Sequence, residues 1–293
     1  MRGIFLAIVI LFLLIFAFLA GIGSGLLLSG KSSFSSGDKV AVLRVEDVIL
    51  DSQIYLESIE TITKDDDVKA LVVRIDSPGG AVGPSQEIFS ELQDLGKDMP
   101  IVASIGGVGA SGGYYIACAA EKIYANPGAI TGSIGVIAQF ASYEKLLDWA
   151  KIDVEVIKSG KYKDVGSPFR EMSEADREYI QELIDNVYSQ FKSAVADARN
   201  LDTKQIDKVA DGKIYTGEQA LKLNLIDELG TINDAISMAG DLGGIEGEPE
   251  VVYFPKKKSR FLDILYSRVD TNLLTGVPTK TRFGLFYLVD IIN

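Results

Sequence analysis

"ALVVRIDSPGG", Ala70 to Gly80, decides how the rest of the chain is read. Ala70 to Ile75 is a nearly continuous apolar run, the pattern of a parallel strand covered on both faces. "DSPGG" after it is a turn signal. A helix is predicted next, around Ser85 to Leu95, and "IVASI" (Ile101 to Ile105) reads as the following strand. Upstream, "VAVLRV" (Val40 to Val45) is a strand by its branched residues, and "SQIYLESIETI" (Ser52 to Ile62) has helical spacing. Strands alternating with helices through short connections give βαβ units and an α/β fold.

Downstream, "DVEVIKSG" (Asp153 to Gly160) reads as a strand and a turn. Ser173 to Asn200 is a long amphipathic helix, and Ser173 with Asp176 resembles the capping box that starts it. Thr216 with Gln219 marks another start, over Thr216 to Ile226. No internal repeat is evident, so one unit per chain is expected. Basic "KKKSR" (Lys256 to Arg260) precedes apolar "FGLFYLVDII" (Phe283 to Ile292). This end reads as a last packed element or a peripheral membrane contact. The competing reading is a mobile tail that reaches the active site.

At the other end, Ile4 to Leu28 carries no charge and is long enough to cross a bilayer of roughly 30 Å. An uncleaved anchor is expected rather than a signal peptide, whose apolar region is shorter. Arg2 before the span points weakly to a cytoplasmic N-terminus and a catalytic domain outside. The expected organisation is an anchor over 1–30, a Ser/Gly-rich linker over 31–38, a catalytic domain over 39–255 and a tail over 256–293. The formal charge of −12 argues against nucleic acid as the main partner.

The chain of 293 residues has one cysteine, Cys118, and no histidine. That excludes a Ser-His-Asp triad, a Cys-His dyad and a histidine-ligated metal. Cys118 itself reads as a small buried side chain. Tyr114 and Tyr115 read as packing residues, and "TKDDDVK" (Thr63 to Lys69) as a solvated turn rather than a metal loop.

"GVGASGGYYIA" (Gly107 to Ala117) sets Ser111 among small residues at the start of a predicted helix. Glycine permits close approach by a substrate. A helix start aims free N–H groups outward, the donors an oxyanion needs. Gly79 or Gly80 in the preceding turn could supply a second donor. Asp and Glu, with values near 4, are poor bases for a serine hydroxyl, whereas a lysine can accept its proton when neutral at working pH. Holding a lysine neutral near pH 7 means lowering its value by about three units, or about 4 kcal/mol, which burial supplies. Lys158, Lys161 and Lys163 follow a predicted strand, and spacing alone does not choose among them.

"ASGGYYIACAAEKIYANPGAITGSIGV", with "RIDSPGG" before it and "IKSGKYKD" after it, resembles the signal peptide peptidase A family, the membrane-anchored Ser-Lys peptidases of the S49 class. The resemblance runs from about Val40 to about Gly240. It implies a ClpP/crotonase-type fold of stacked ββα units, here with an N-terminal transmembrane helix. It puts the nucleophile on Ser111, the general base on Lys163, and oxyanion donors at Gly80 and near Gly112. It gives Ser133 the task of orienting the lysine amine, and it calls for no cofactor and no metal. In the family's short form, Ser and Lys meet across protomers of a ring-shaped oligomer. The implied substrates are apolar remnants of signal peptides at the cell membrane. The alternatives are a related membrane protease that cuts specific membrane-associated proteins, and a crotonase-like acyl-CoA enzyme.

Overall fold

A computed structural model describes residues 37–256 and the backbone of 286–288. The chain divides into a unit Met1–Gly37 and a unit Asp38–Asn293, and the architecture below is that of the second. The elements in order are β1 (Lys39–Glu46), α1 (Gln53–Thr63), β2 (Val68–Ser77), β3 (Gly79–Ala81), α2 (Val82–Leu95), β4 (Ile101–Ala110) and α3 (Gly112–Ala117). Then come β5 (Lys122–Ala125), β6 (Ile130–Gly132), α4 (Glu144–Ala150), α5 (Glu174–Arg199), α6 (Thr203–Val209), β7 (Ile214–Thr216) and α7 (Gly217–Lys222). The last are β8 (Glu228–Leu229), α8 (Ile232–Leu242), β9 (Glu250–Phe254) and β10 (Phe286–Leu288).

Among the described residues one sheet runs β7-β6-β4-β2-β1-β9, with β5 on β4 and β8 on β5. Its pairings are parallel except β6 with β7. Val40, Val42, Ala70 and Val72 bury one face against Ala235 and Ala239 of α8. Ala41, Leu43, Leu71, Val73 and Ile75 bury the other against Ile59 of α1, Ile88 and Leu92 of α2, and Phe191 and Val195 of α5. The apolar run at 70–75 is therefore covered on both sides, as its pattern implied. Tyr115 wedges between Phe89 and Phe191, edge-on to each, with centroids 4.6 and 5.0 Å apart. Burying such rings stabilises the fold by about 1.5–3 kcal/mol each.

β4 is the element that carries the chain to the site. Val102 to Ile105 pair with β5, and Val108 to Ala110 pair with β6. Its other edge pairs with β2, where the register shifts between Ile75 and Ser77. The Asp76 carboxylate fills that shift, accepting from the Gly107 and Val108 amides at 3.2 and 3.0 Å. β4 ends at the carboxyl edge of the parallel strands, where crevices form in such sheets.

Several expectations need correction. The anchor expected at Ile4–Leu28 lies outside the described residues, and no helix among those described is long and apolar enough to cross a membrane. The longest, α5, carries acidic and basic residues along its length and exposes one face to water. The transmembrane helix in the expected fold class, the membrane as a partner, the single-pass location and the outward-facing domain are withdrawn together. The described architecture is a mixed α/β fold with helices on both faces of the main sheet. "DSPGG" does more than turn: Gly79 and Gly80 open β3. The strand expected within Asp153 to Gly160 does not form. By contrast, the capping boxes at Ser173/Asp176 and Thr216/Gln219 are both present. Asp65 and Asp67 of the acidic turn hold Lys39 Nζ.

Candidate active site

β4 delivers Ser111 directly to the start of α3. Its backbone has φ 54° and ψ −117°, and it is 1% exposed. A positive φ is strained for any residue with a Cβ, and such strain concentrates at functional positions. Two bonds fix the conformation: the Ser111 amide donates to the Gly132 carbonyl at 2.8 Å, and the Tyr115 amide donates to the Ser111 carbonyl at 2.8 Å. Ser133 follows Gly132 directly. It too has a positive φ, 52°, it is buried, and its amide donates to the Lys213 carbonyl at 2.7 Å.

The second wall of the site is β3. Ile49 grips it from one side, donating to the Gly79 carbonyl at 2.9 Å and accepting from the Ala81 amide at 2.7 Å. Ser77 Oγ accepts from the Gly79 amide at 3.1 Å and donates to the Asp47 carbonyl at 2.5 Å. A Cβ on Gly80 would stand 2.0 Å from the Ile49 oxygen, so only glycine fits there. A Cβ on Gly112 would stand 3.2 Å from the Gly80 nitrogen and 2.6 Å from Ser85 Oγ. The two glycines thus let the strand before the helix and the helix start press together, with the Gly80 amide against Gly112. The other edge of β3 carries β10, antiparallel, with Tyr287 opposite Gly80. β10 is the described part of the apolar C-terminal stretch, and it pairs with the strand next to Ser111's helix.

Beside Ser133 a cavity of about 520 Å³ is lined by Ile134, Val136, Ile137, Ile184 and Tyr188, with Gln181 and Asp185 adding polar groups. Cys118 is no competing nucleophile. It is buried, and that burial pushes its thiol up to about 12. Tyr114 is fully buried and donates to the Leu225 carbonyl at 2.6 Å, so it packs and anchors.

The structure therefore brings Ser111, Gly80, Gly112 and Ser133 together. It does not bring Lys163 to them: Ser111 is buried, Lys163 is exposed, and among the described residues no hydrogen bond joins them. The three lysines nevertheless differ. Lys158 Nζ is paired with Asp164 at 2.5 Å, and Lys161 Nζ lies 4.8 Å from the Tyr162 ring centroid. Among the described residues Lys163 has neither an ion pair nor a ring contact. Sequence reasoning overlooked Ser77, Ser85 and Ile49, which hold the glycine wall. A serine directly before Pro-Gly-Gly was the available signal, since serine bonds its own backbone two residues on.

A family model described as Peptidase family S49 matches residues 93–246. Two similar proteins carry names that begin "Putative protease": slr0021 of Synechocystis sp. and MJ0651 of Methanocaldococcus jannaschii. The first is 44% identical over 214 residues, 72% of this chain and 77% of its own. The second is 38% identical over 212 residues, 72% of this chain and 68% of its own. "Serine protease SPPA, chloroplastic" of Arabidopsis thaliana is 34% identical over 185 residues, 63% of this chain and 27% of its own. The names of these relatives and of the matching family model are those of proteases, and none is that of an acyl-CoA enzyme. The chain belongs to peptidase family S49, the SppA-like serine proteases.

Proposed function

We propose that residues 39–255 form the catalytic domain of a Ser-Lys endopeptidase. Ser111 is the nucleophile and Lys163 the general base. The Gly80 and Gly112 amides are the oxyanion donors, and Ser133 orients the lysine amine. The observation that carries the reading is Ser111's strained backbone, set against a wall of two glycine amides. A neutral lysine amine takes the Ser111 proton, and the alkoxide attacks a peptide carbonyl. The two amides hold the resulting oxyanion. The lysine returns its proton to the leaving amine, and water releases the acyl group. The pairing of β10 on β3 supports an extended peptide as substrate, bound as an added strand. The apolar lining beside Ser133 suits apolar side chains. The resemblance implied signal-peptide remnants met at a membrane; no helix among the described residues is long and apolar enough to cross one, and that narrower substrate is not carried further.

Gly80→Ala tests the oxyanion wall. Its Cβ has no room at 2.0 Å from the Ile49 oxygen, so β3 must shift. The expected loss in kcat is about 10²–10³-fold, the cost of one oxyanion donor. Gly83→Ala, which meets nothing within 4 Å, is the control and keeps its rate. Equal rates in both variants would remove Gly80 from the wall.

Lys163 reaches a buried serine if the two residues come from different protomers. Support comes from the segment around it, where Ile157 is 93% and Trp149 81% exposed. Apolar surface of that kind marks an interface. The test is complementation. Chains carrying Ser111→Ala and chains carrying Lys163→Ala are each inactive. After subunit exchange, about a quarter of the head-to-tail interfaces of a mixed oligomer join an intact serine to an intact lysine. Activity then returns to that fraction of wild type. Mixed oligomers with no activity would place both residues of the dyad in one protomer.

A further inference from the structure

We propose that Arg170 is a positioning residue for Lys163: it holds the neighbouring Asp164 carboxylate away from the lysine amine and ties the lysine's loop to the first turn of α5. The inference rests on the reading of Lys163 as the proton acceptor.

Lys163 stands between two anchored neighbours. Before it, the Tyr162 ring stacks on Tyr179 of α5, with centroids 5.0 Å apart and planes 26° from parallel. After it, Asp164 is gripped by Arg170 in a fork: Nε to Oδ2 at 2.9 Å and Nη2 to Oδ1 at 2.9 Å. Lys158 Nζ adds a third bond, to Oδ1 at 2.5 Å. The same guanidinium donates from Nη1 to Asp176 Oδ2 at 2.6 Å. Its remaining bonds go to the Asp164 and Glu171 carbonyls at 3.3 and 3.0 Å. All five guanidinium donors are used. Asp176 is the carboxylate of the capping box, accepting from the Ser173 amide at 3.0 Å. Helix start, arginine and lysine loop are therefore one connected network.

This arrangement matters because of what sits beside the base. Asp164 is the carboxylate next to Lys163 in the chain. Left free, it would pair with the lysine amine and favour the protonated form, which cannot accept a proton. Arg170 and Lys158 claim both of its oxygens. Their bonds hold the Asp164 carboxyl well below the usual carboxylate range, and the Arg170 bond brings Asp176 down to about 2. Both stay ionised and occupied at working pH. The charged and titratable groups from Lys158 to Asp176 are Lys158, Lys161, Tyr162, Lys163, Asp164, Arg170, Glu171, Glu174 and Asp176, with Tyr179 stacked on Tyr162. Asp164 is the anion adjacent to Lys163 among them.

The test measures pH profiles of peptide cleavage by the full chain, with circular dichroism to check folding. In Arg170→Gln the acid limb of kcat is expected to move up by about one pH unit, the effect of a new opposite charge beside the base. The rate at pH 7 falls about tenfold with it. Adding Asp164→Asn returns the limb to its wild-type position. A limb that stays fixed in Arg170→Gln, or that the added Asp164→Asn leaves displaced, overturns the proposal. Should Arg170→Gln not fold, Arg170→Lys keeps a cation on Asp164 and loses the tie to Asp176. Its limb is expected at the wild-type position with a lower kcat, and an unchanged kcat overturns the proposal. Lys163→Ala is measured alongside. If it keeps activity, the base assignment itself falls. If it is inactive while Arg170→Gln behaves as wild type, only the role of Arg170 falls.

Discussion

Ser111→Gly abolishes peptide cleavage and at the same time raises the melting temperature. The activity loss follows from the missing nucleophile, and a drop of about 10⁶ in kcat is the scale for removing such a group. The stability gain follows from the backbone. Ser111 has φ 54° and ψ −117°, a conformation that glycine adopts freely and other residues resist. Holding a side chain there costs about 1–3 kcal/mol, and the added freedom of an unfolded glycine returns about 0.4–1 of it. The net gain is about 1 kcal/mol, or about 2–4 °C for a domain of this size. Ser111→Ala separates the two effects. It is equally inactive but keeps its Cβ, so its melting temperature stays at the wild-type value. Cleavage by Ser111→Gly would put the nucleophile elsewhere. Inactivity without a thermal gain would mean that the surrounding bonds, not the serine, set the strain.

The second large effect is Lys163→Ala, expected to cost about 10²–10⁴ in kcat, the range for removing a general base. The same change at Lys158 or Lys161 is expected to cost far less. Lys158 is committed to Asp164, and Lys161 to the Tyr162 ring. Lys163 alone of the three lacks such a contact among the described residues, so its amine is available to a serine brought to it. Parallel rate measurements on the three alanine variants decide the matter. If Lys158→Ala is the inactive one while Lys163→Ala cleaves normally, the base has been assigned to the wrong lysine.

The central strands were legible because burial on both faces leaves a direct mark, the run at Ala70 to Ile75. Helix starts were legible because a capping box is local: Ser173 and Asp176 bond each other's amides whatever surrounds them. The extension of β4 through Gly106, Gly107 and Gly109 to Ala110 was hidden, since glycine carries little strand preference. "VEVI" (Val154 to Ile157) misled for the opposite reason. Its residues favour a strand, but a strand needs a neighbour, and among the described residues none pairs with it. Candidate nucleophile and glycines were visible as small residues in sequence. The choice among three lysines was not, because it depends on which one has its charge already matched by tertiary contacts. The uncharged segment at Ile4–Leu28 invited an anchor and a location, and composition alone could not carry either.

β10 on the edge of β3 has a consequence for measured kinetics. A segment joined to the same chain is a competitor that dilution does not remove. Its pairing with β3 is an event within one chain, so the local concentration of the competing strand is set by the chain itself and not by the amount of protein in solution. An incoming peptide binds only the fraction of molecules whose edge is uncovered, so its apparent affinity is reduced by that fraction. With substrate added to β3 as proposed, the KM of the intact chain is expected to report an exchange between two strands rather than the affinity of an empty groove.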